Sequence, residues 1–353
     1  MAKIGIGVLG YAHGHLQTYT AAIKGFDDAQ VLVCWDHDRE RGESVAASFG
    51  LQFRPQLEQV LDDGAVDLVM IGSETKYHPE LVIAAARAGK DIVLQKPMAL
   101  SLADCDRMIA AVERAGVWCS LAFQMRYDPA NRKMKELMEA GAIGRVGLVR
   151  RRHCIPVLLH EGFVNGPTRW HFDPDLNMGM WMDDASHPAD LCYWWFGLPT
   201  SVMAEIDNVL TTVAPDDSGM AIYRWPSGLM GEIFNSSVVL AGENTTEIYG
   251  DQGVIVQNFG DGPSCSVALP PGAIAVKLYQ WSKHEAGWQD QGVPIPPGGQ
   301  GERISAVARA ILDEYRAGQV QVSARDGRAS IQMVLAAYQS AREGRRVALA
   351  QVG

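Results

Sequence analysis

Three polar residues between positions 183 and 190 have a spacing that could support catalysis. Asp183, His187 and Asp190 stand at i, i+4 and i+7, which places them on one face of a helix if this segment is helical. His187 could then exchange a hydroxyl proton while Asp183 orients its imidazole. The same residue types could instead bind a metal, or Asp183 could simply cap a polar helix start.

Lys96 favours the first of these interpretations. It follows the predicted strand Asp91–Leu94, and ligands of open α/β sheets bind at the carboxyl ends of the strands. Pro97 restricts Lys96 to an extended backbone and so limits the directions that its ammonium group can take. Because an ammonium group aimed at the same pocket would repel a divalent cation, we expect acid–base chemistry and no metal.

The elements that would position these residues predict an α/β fold for the N-terminal part. From Ile4 to about Phe123, short β-rich runs alternate with amphipathic helical stretches, which is typical of a parallel sheet. A helix is predicted over Pro79–Ala88, with proline in its first turn and Gly89 at its end. The predicted strands are Ile4–Leu9, Gln30–Trp35, Leu68–Ile71, Asp91–Leu94 and Trp118–Ala122.

A phosphate-binding turn is predicted to begin at Gly10. The literal pattern Gly-x-Gly-x-x-Gly occurs at Gly5, Gly7 and Gly10, but the first two glycines lie within the first strand, and the turn must follow that strand. From Gly10 the turn reads Gly-Tyr-Ala-His-Gly-His, so Ala12 and His15 stand where glycines are usual. Its backbone amides and the dipole of the next helix could still bind a pyrophosphate.

Asp36 supports a dinucleotide site. It ends the second strand, about 20 to 25 residues beyond the turn, where a carboxylate can accept hydrogen bonds from the adenosine ribose hydroxyls. An acidic residue here favours NAD over NADP, although Asp36 could instead only begin the loop before a helix. For His13 and His15, a turn or phosphate contact is favoured over a metal site, because no cysteine or carboxylate stands near them in the sequence.

The C-terminal part is predicted to be an α+β domain with a large, mostly antiparallel open sheet. A helix over Pro129–Glu139 precedes a strand over Arg145–Arg152, and residues 199–295 carry β-rich runs and turn signals without long helices. Two amphipathic helices, Glu302–Ala317 and Ala324–Glu343, are expected to pack back on the body of the protein. The expected domains are residues 1–125 and 126–353.

Composition indicates a protein that acts on small molecules. The 353 residues carry a formal net charge of -10, which disfavours binding to nucleic acid or to anionic membranes. No apolar run is long enough to span a bilayer and no signal peptide is expected, so a cytoplasmic location is predicted.

The six cysteines have no metal or disulfide pattern and are expected to be free thiols. An open sheet with an uncovered apolar face predicts a homodimer or homotetramer.

Three motifs resemble those of the Gfo/Idh/MocA family, which includes glucose–fructose oxidoreductase and inositol dehydrogenase. They follow the family's order, and the similarity covers nearly the whole chain. Glu74 departs from a proline of the family pattern, and Gln95 replaces the glutamate of its Glu-Lys-Pro motif. The motifs are DLVMI at 67–71 with TKYH at 75–78, AGKDIVLQKP at 88–97, and DDASHPAD at 183–190.

This resemblance implies a dehydrogenase that transfers a hydride between NAD and a secondary alcohol of a sugar, polyol or cyclitol, with NADP the less expected cofactor. The alternatives are an NAD-dependent glycosidase that oxidises its substrate transiently, and a sugar sensor without catalysis. The implied catalytic residues are Lys96, Asp183 and His187. The expected cofactor contacts are Gly10, Ala12, His13, Asp36, Arg41, Ser73, His78, Gln95, Lys96 and Gln124, and the expected substrate contacts are Lys96, Arg126, His153, Arg169, Trp170, Asp183 and His187.

Overall fold

The N-terminal part of the chain forms a parallel sheet. The computed structural model describes residues 3–240, 244–257, 273–295 and 299–352. The strands of this sheet are β1 (Ile4–Leu9), β2 (Ala29–Trp35), β3 (Gln52–Phe53), β4 (Leu68–Ile71), β5 (Asp91–Leu94) and β6 (Cys119–Leu121). They pair in the order β3-β2-β1-β4-β5-β6. The helices between them are α1 (His15–Ile23), α2 (Arg39–Phe49), α3 (Glu58–Leu61), α4 (His78–Arg87) and α5 (Leu102–Ala115).

The strand order reverses between β1 and β4, and a reversal of this kind opens a crevice at the carboxyl ends of the strands. Gly10 follows β1 with a φ of +87°, and a Cβ atom there would lie 2.8 Å from the backbone of Ser73, so glycine is required. Gly5 and Gly7 lie inside β1, where added Cβ atoms would meet neighbours at 1.8 and 2.7 Å. They are packing residues of the strand, as predicted.

The C-terminal part builds a larger, mostly antiparallel sheet, which confirms the predicted fold class. Its strands are β7 (Val146–Cys154), β8 (Ser201–Asp207), β9 (Ser218–Arg224), β10 (Met230–Ser236), β11 (Thr245–Gly250), β12 (Gly253–Gln257), β13 (Val276–Gln280), β14 (Gln289–Asp290) and β15 (Val347–Ala348). They pair in the order β14-β13-β12-β11-β7-β10-β9-β8-β15. Only the β7–β10 pair is parallel among the described pairings.

The last two helices pack back on the body of the protein, as expected from their amphipathic pattern. The remaining helices are α6 (Pro129–Glu139), α7 (Glu161–Val164), α8 (Pro174–Asn177), α9 (Met180–Phe196), α10 (Gly299–Ala317) and α11 (Ala324–Glu343). In α10, Arg309 Nη1 lies 2.8 Å from Asp28 Oδ1, and the Tyr315 hydroxyl donates to Asp91 Oδ2 at 2.8 Å. None of the described helices is both long enough and apolar enough to cross a bilayer.

Helix α9 lies at the centre of the protein. It is buried from Met180 to Cys192, including its polar residues, because it packs between α11 and the second sheet. Pro188 stands in the middle of this helix and not in an early turn, so the main-chain oxygen of Asp184 lacks its usual helical donor.

Arg126 ties α9 to the segment that follows β6. Its Nε and Nη2 atoms donate to the two carboxylate oxygens of Asp190 at 2.9 and 2.6 Å, and Nη2 lies 3.3 Å from Asp326 Oδ1 in α11. Arg126 and Asp190 are almost fully buried. A bidentate salt bridge of this kind positions α9 against the carboxyl edge of the parallel sheet.

Arg126→Ala is expected to lower the free energy of unfolding by about 3 to 5 kcal/mol, because it leaves the Asp190 carboxylate buried without its partner. Urea unfolding followed by circular dichroism measures this change. Arg107→Ala is the matched control, since Arg107 pairs with Glu80 and Asp104 on the surface and should change stability far less than Arg126→Ala. Equal effects of the two substitutions would contradict the structural role of Arg126.

Candidate active site

A cavity of about 520 Å³ lies where the carboxyl edge of the parallel sheet meets α9 and the segment after β7. The loop after β5 contributes Lys96, and the segment after β6 contributes Gln124. Helix α9 contributes Asp183, Asp184 and His187. The structure thus brings together the three implied catalytic residues. Six histidines also line the cavity: His13, His15, His153, His160, His171 and His187.

Lys96 is held in place by Asp183. Both residues are buried, and Lys96 Nζ lies 3.3 Å from Oδ1 and 3.3 Å from the main-chain oxygen of Asp183. Asp183 Oδ1 also accepts a hydrogen bond from Asn177 Nδ2 at 3.1 Å, and lies 3.6 Å from His171 Nδ1. Burial acts to raise the pKa of Asp183, but His171 and Lys96 together outweigh it and lower the pKa.

This geometry corrects two expectations for Asp183. Helix α9 begins at Met180, so Asp183 lies in its first turn and is not its cap. Asp183 and His187 do share one side of the helix, but the contacts of the Asp183 carboxylate are with other groups. Asp183 positions Lys96 and not the imidazole of His187, because its carboxylate is drawn to the buried ammonium group.

The imidazole ring of His187 has one nitrogen without a hydrogen-bond partner among the described residues. Its ring lies 5.5 Å from that of His153 and 6.1 Å from that of Phe123, and its Nδ1 is buried with no hydrogen-bond partner in the part of the chain that the structure describes. Burial lowers the pKa of His187 well below its ordinary value, and the ammonium group of Lys96 lowers it further. A neutral imidazole that lines the cavity can accept a proton from a hydroxyl group.

Burial keeps the neighbouring imidazoles neutral as well. It lowers the pKa of His15 to about 3 and that of His171 to about 4, and Lys96 contributes to both shifts. The pKa values of His13 and His153 are lowered well below the ordinary value for the same main reason. Neutral imidazoles both donate and accept hydrogen bonds, which suits a ligand rich in hydroxyl groups.

Asp184 also lines the cavity, although it is not among the expected site residues; it stands beside Asp183 in the DDASHPAD motif. Its carboxylate accepts a hydrogen bond from Ser237 Oγ at 3.3 Å, and the residue is 5% exposed. Burial and then the neighbouring Asp183 raise the pKa of Asp184 to about 7. The signal that could have revealed it is a pair of adjacent acids in an otherwise mostly apolar helix.

The expected substrate contacts divide into two groups. His153 lines the cavity together with the catalytic residues. Trp170 instead joins the segment after β7 to the phosphate turn, because its Nε1 donates to the main-chain oxygen of Ala12 at 3.2 Å and its ring stacks on His171. Arg169 is exposed, and Arg126 is engaged in the buried pair with Asp190. The structure places neither arginine among the residues that line the cavity.

The turn after β1 fits a bound dinucleotide. Gly14 directly precedes α1, is exposed, and has open space where a Cβ atom would stand. Main-chain amides at such a helix start can bind a pyrophosphate. His13 lines the adjoining cavity, and Gln124 Oε1 is buried there without a partner among the described residues. An acceptor in this position fits a ligand that supplies the missing donor.

Three of the expected cofactor contacts form hydrogen bonds that stabilise this edge of the sheet: Ser73, His78 and Gln95. His78 Nε2 lies 3.1 Å from the main-chain oxygen of Ser73, and its Nδ1 lies 2.9 Å from that of Pro97, so the ring joins the loops after β4 and β5. Gln95 Nε2 donates to the Tyr19 hydroxyl at 3.1 Å. All three side chains are engaged within the protein, and their contact with a cofactor stays a prediction.

Asp36 directly follows β2 and is joined to the phosphate turn. Its carboxylate accepts from the main-chain nitrogen of Tyr11 at 2.8 Å. Arg41, in the first turn of α2, donates to both of its oxygens at 2.8 and 2.7 Å. The structure therefore brings together these two predicted cofactor contacts at the adenosine end of the crevice.

The described residues contain no group of three or more histidine, cysteine, aspartate or glutamate side chains that could hold a metal ion. Five cysteines are buried and unpaired, while Cys265 lies outside the described residues.

The fold and the site define the class of dinucleotide-binding oxidoreductases. Residues 3–123 match the family described as an oxidoreductase family with an NAD-binding Rossmann fold, and residues 131–256 match the GFO/IDH/MocA C-terminal domain. The chain therefore belongs to the Gfo/Idh/MocA family, as its motifs predict. Its N-terminal part is the NAD-binding domain of that family.

Characterised relatives are sugar and cyclitol dehydrogenases. Myo-inositol 2-dehydrogenase of Thermotoga maritima is 29% identical over 261 residues, covering 71% of this chain and 73% of the relative. D-apiose dehydrogenase of Paraburkholderia graminis is 27% identical, covering 99% and 89%. A solved levoglucosan dehydrogenase in complex with NADH and levoglucosan has the same fold, with a TM-score of 0.83 at 23% identity over 99% of this chain and 100% of that chain.

The raised pKa of Asp184 predicts a pH-dependent stability. Between about pH 4 and pH 7 the folded protein retains a proton on Asp184 that the unfolded chain releases, so the free energy of unfolding falls as pH rises. Asp184→Asn removes this ionisation. Between pH 5 and pH 8 the variant should lose about 2 kcal/mol less stability than the wild type, measured by urea unfolding.

Asp62→Asn is the control for this prediction, because Asp62 is exposed and its substitution should leave the pH dependence unchanged. Parallel pH curves for the wild type and Asp184→Asn would show that Asp184 is ionised at both pH values.

Proposed function

We propose that this protein reversibly oxidises a secondary alcohol of an uncharged sugar, polyol or cyclitol. The observation that carries the proposal is that neutral His187 lines the same cavity as the Lys96 ammonium group. A proton acceptor and a cation that face one space can act on a single hydroxyl group. The inositol, apiose and levoglucosan dehydrogenases among the relatives support this substrate class.

The roles of the side chains follow from their contacts. His187 takes the proton as the O–H bond breaks, and returns it in the direction of reduction. Lys96 has three N–H donors, of which Asp183 engages up to two, so it can donate another to the substrate oxygen and stabilise its negative charge. Asp183 fixes the direction of that donor. NAD, when bound, accepts the hydride that leaves the carbon atom.

The charges of the cavity favour an uncharged substrate. Among its lining residues Lys96 is the one lysine or arginine, and Asp183 offsets its charge. The two arginines expected among the substrate contacts, Arg126 and Arg169, do not line this cavity. The substrate hydroxyls instead face neutral imidazoles and Asp184, which accept and donate hydrogen bonds.

The test is a panel of cyclitols, aldoses, anhydro-sugars and sugar acids incubated with NAD, with the absorbance of NADH and the products both recorded. At least one uncharged polyol should reduce NAD, and its turnover should exceed that of any sugar acid. Lys96→Met should lower kcat/KM at least about 100-fold and leave NAD affinity nearly unchanged, because the lysine acts on the substrate oxygen.

Lys133→Met, which changes a lysine on the surface of α6, is the control for loss of charge. Preferred turnover of a sugar acid would refute the uncharged substrate class. Net hydrolysis without accumulation of NADH would replace the proposal with the glycosidase. Full activity of Lys96→Met would remove that lysine from the reaction.

We further propose that two copies associate through the outer face of the second sheet, in the cytoplasm, where thiols stay reduced. This face exposes Met203, Met220 and Ile222 beside the pairs that Arg150 forms with acidic neighbours. Apolar residues and both signs of charge on one surface suit a two-fold interface, in which the surface pairs with itself. The net charge of -10 supports partners other than nucleic acid.

Met220→Arg is expected to shift the protein toward the monomer in sedimentation velocity, because it adds a charge in the middle of this face. Leu210→Arg is the control, since Leu210 is 71% exposed in the loop after β8 and lies off the face. A wild-type monomer, or an unchanged oligomer in Met220→Arg, would exclude this interface.

A further inference from the structure

Glu74 is buried at the adenosine end of the crevice, in the position where the family pattern has proline. It follows β4 and is 6% exposed. Its Oε1 accepts a hydrogen bond from Arg41 Nη1 at 3.0 Å, and Oε2 lies 3.5 Å from Nη2. Since Arg41 also donates to Asp36, its guanidinium group lies between two buried carboxylates.

Asp36 has no acceptor position left in this arrangement. Arg41 donates to both oxygens, the main-chain nitrogen of Tyr11 donates to Oδ2 at 2.8 Å, and that of Asp38 donates to Oδ1 at 3.0 Å. A carboxylate offers about four acceptor positions. The ribose hydroxyls of a dinucleotide can therefore bind Asp36 only if Arg41 moves away from it.

Glu74 supplies the partner that Arg41 then needs. Both of its carboxylate oxygens already lie within 3.5 Å of the guanidinium group, so a small rotation keeps Arg41 paired while Asp36 becomes available. Without Glu74, the displaced guanidinium would be a mostly buried charge without a partner, which is strongly unfavourable. A proline at this position could not accept these hydrogen bonds.

The same carboxylates oppose a phosphate on the ribose. Sites that bind NADP use a nearby arginine for the 2′-phosphate, a group that carries a charge of about -1.5 to -2. The charge of Arg41 is already shared between Asp36 and Glu74, so the three groups together are negative. Arg41 could bind the phosphate but is already paired with both carboxylates, and the His37 imidazole also lies 3.6 Å from Asp36 Oδ1 and 3.4 Å from Glu74 Oε2.

We propose that Glu74 is a specificity-determining residue for the cofactor. Its carboxylate pairs with Arg41, so that Asp36 can accept hydrogen bonds from the ribose hydroxyls of NAD. The same pairing keeps Arg41 from binding the 2′-phosphate of NADP. The proposal concerns the adenosine end of the site and does not depend on which alcohol the protein oxidises.

The test is isothermal titration of the purified protein with NAD and with NADP, which needs no substrate and no turnover. The wild type should bind NAD more tightly than NADP. In Glu74→Gln the ratio of the two dissociation constants should move toward NADP by roughly tenfold, the change expected when one buried charge beside a phosphate is removed. Glu43→Gln removes the same charge from the exposed side of α2 and should leave the ratio unchanged.

Glu74→Ala serves as a second variant, and a thermal melt establishes that each variant is folded. A ratio within about twofold of the wild type in a folded Glu74 variant would overturn the proposal. A similar shift in Glu43→Gln would assign the effect to overall charge and also overturn it. Equal affinity of the wild-type protein for NAD and NADP would exclude the proposal without any variant.

Discussion

The buried contact between Lys96 and Asp183 is the interaction on which the site depends. Lys96 belongs to the loop after β5, and Asp183 belongs to the first turn of α9, so a distance of 3.3 Å joins the NAD-binding part to the C-terminal part. The cation adds to burial in lowering the pKa values of the surrounding imidazoles. The pair therefore sets both the geometry and the charge of the cavity.

Much of the fold could be predicted because its signals are local. Apolar runs bounded by turn residues mark the strands of the parallel sheet, and glycine and proline mark the ends of its helices. The strand β3 was beyond prediction, since two residues have no hydrophobic period. The parallel pairing of β7 with β10 was equally hidden, because it joins segments about 80 residues apart and depends on the whole sheet.

Residues of the candidate site could be predicted from the sequence, but the contacts between them could not. Helical spacing places Asp183 and His187 on one face, yet it cannot show that Asp183 pairs with a lysine 87 residues earlier in the chain. Arg126 has the residue type of an anion-binding group, and only the fold shows that Asp190 engages it. His171 belongs to no recognised motif, so its place in the cavity follows from tertiary structure alone. Asp184 lies within a motif, but the motif does not show that both of its adjacent acids line the cavity.

The second sheet has many strands, but the strands at its two edges are short. Within the described residues it is nine strands wide, and the outermost of these strands, β14 and β15, have only two residues each. Strand addition needs a long row of unpaired main-chain groups at an edge, and these short strands offer few of them. The sheet can therefore present a broad face while resisting growth along its hydrogen-bonding direction, the direction in which a fibre would extend.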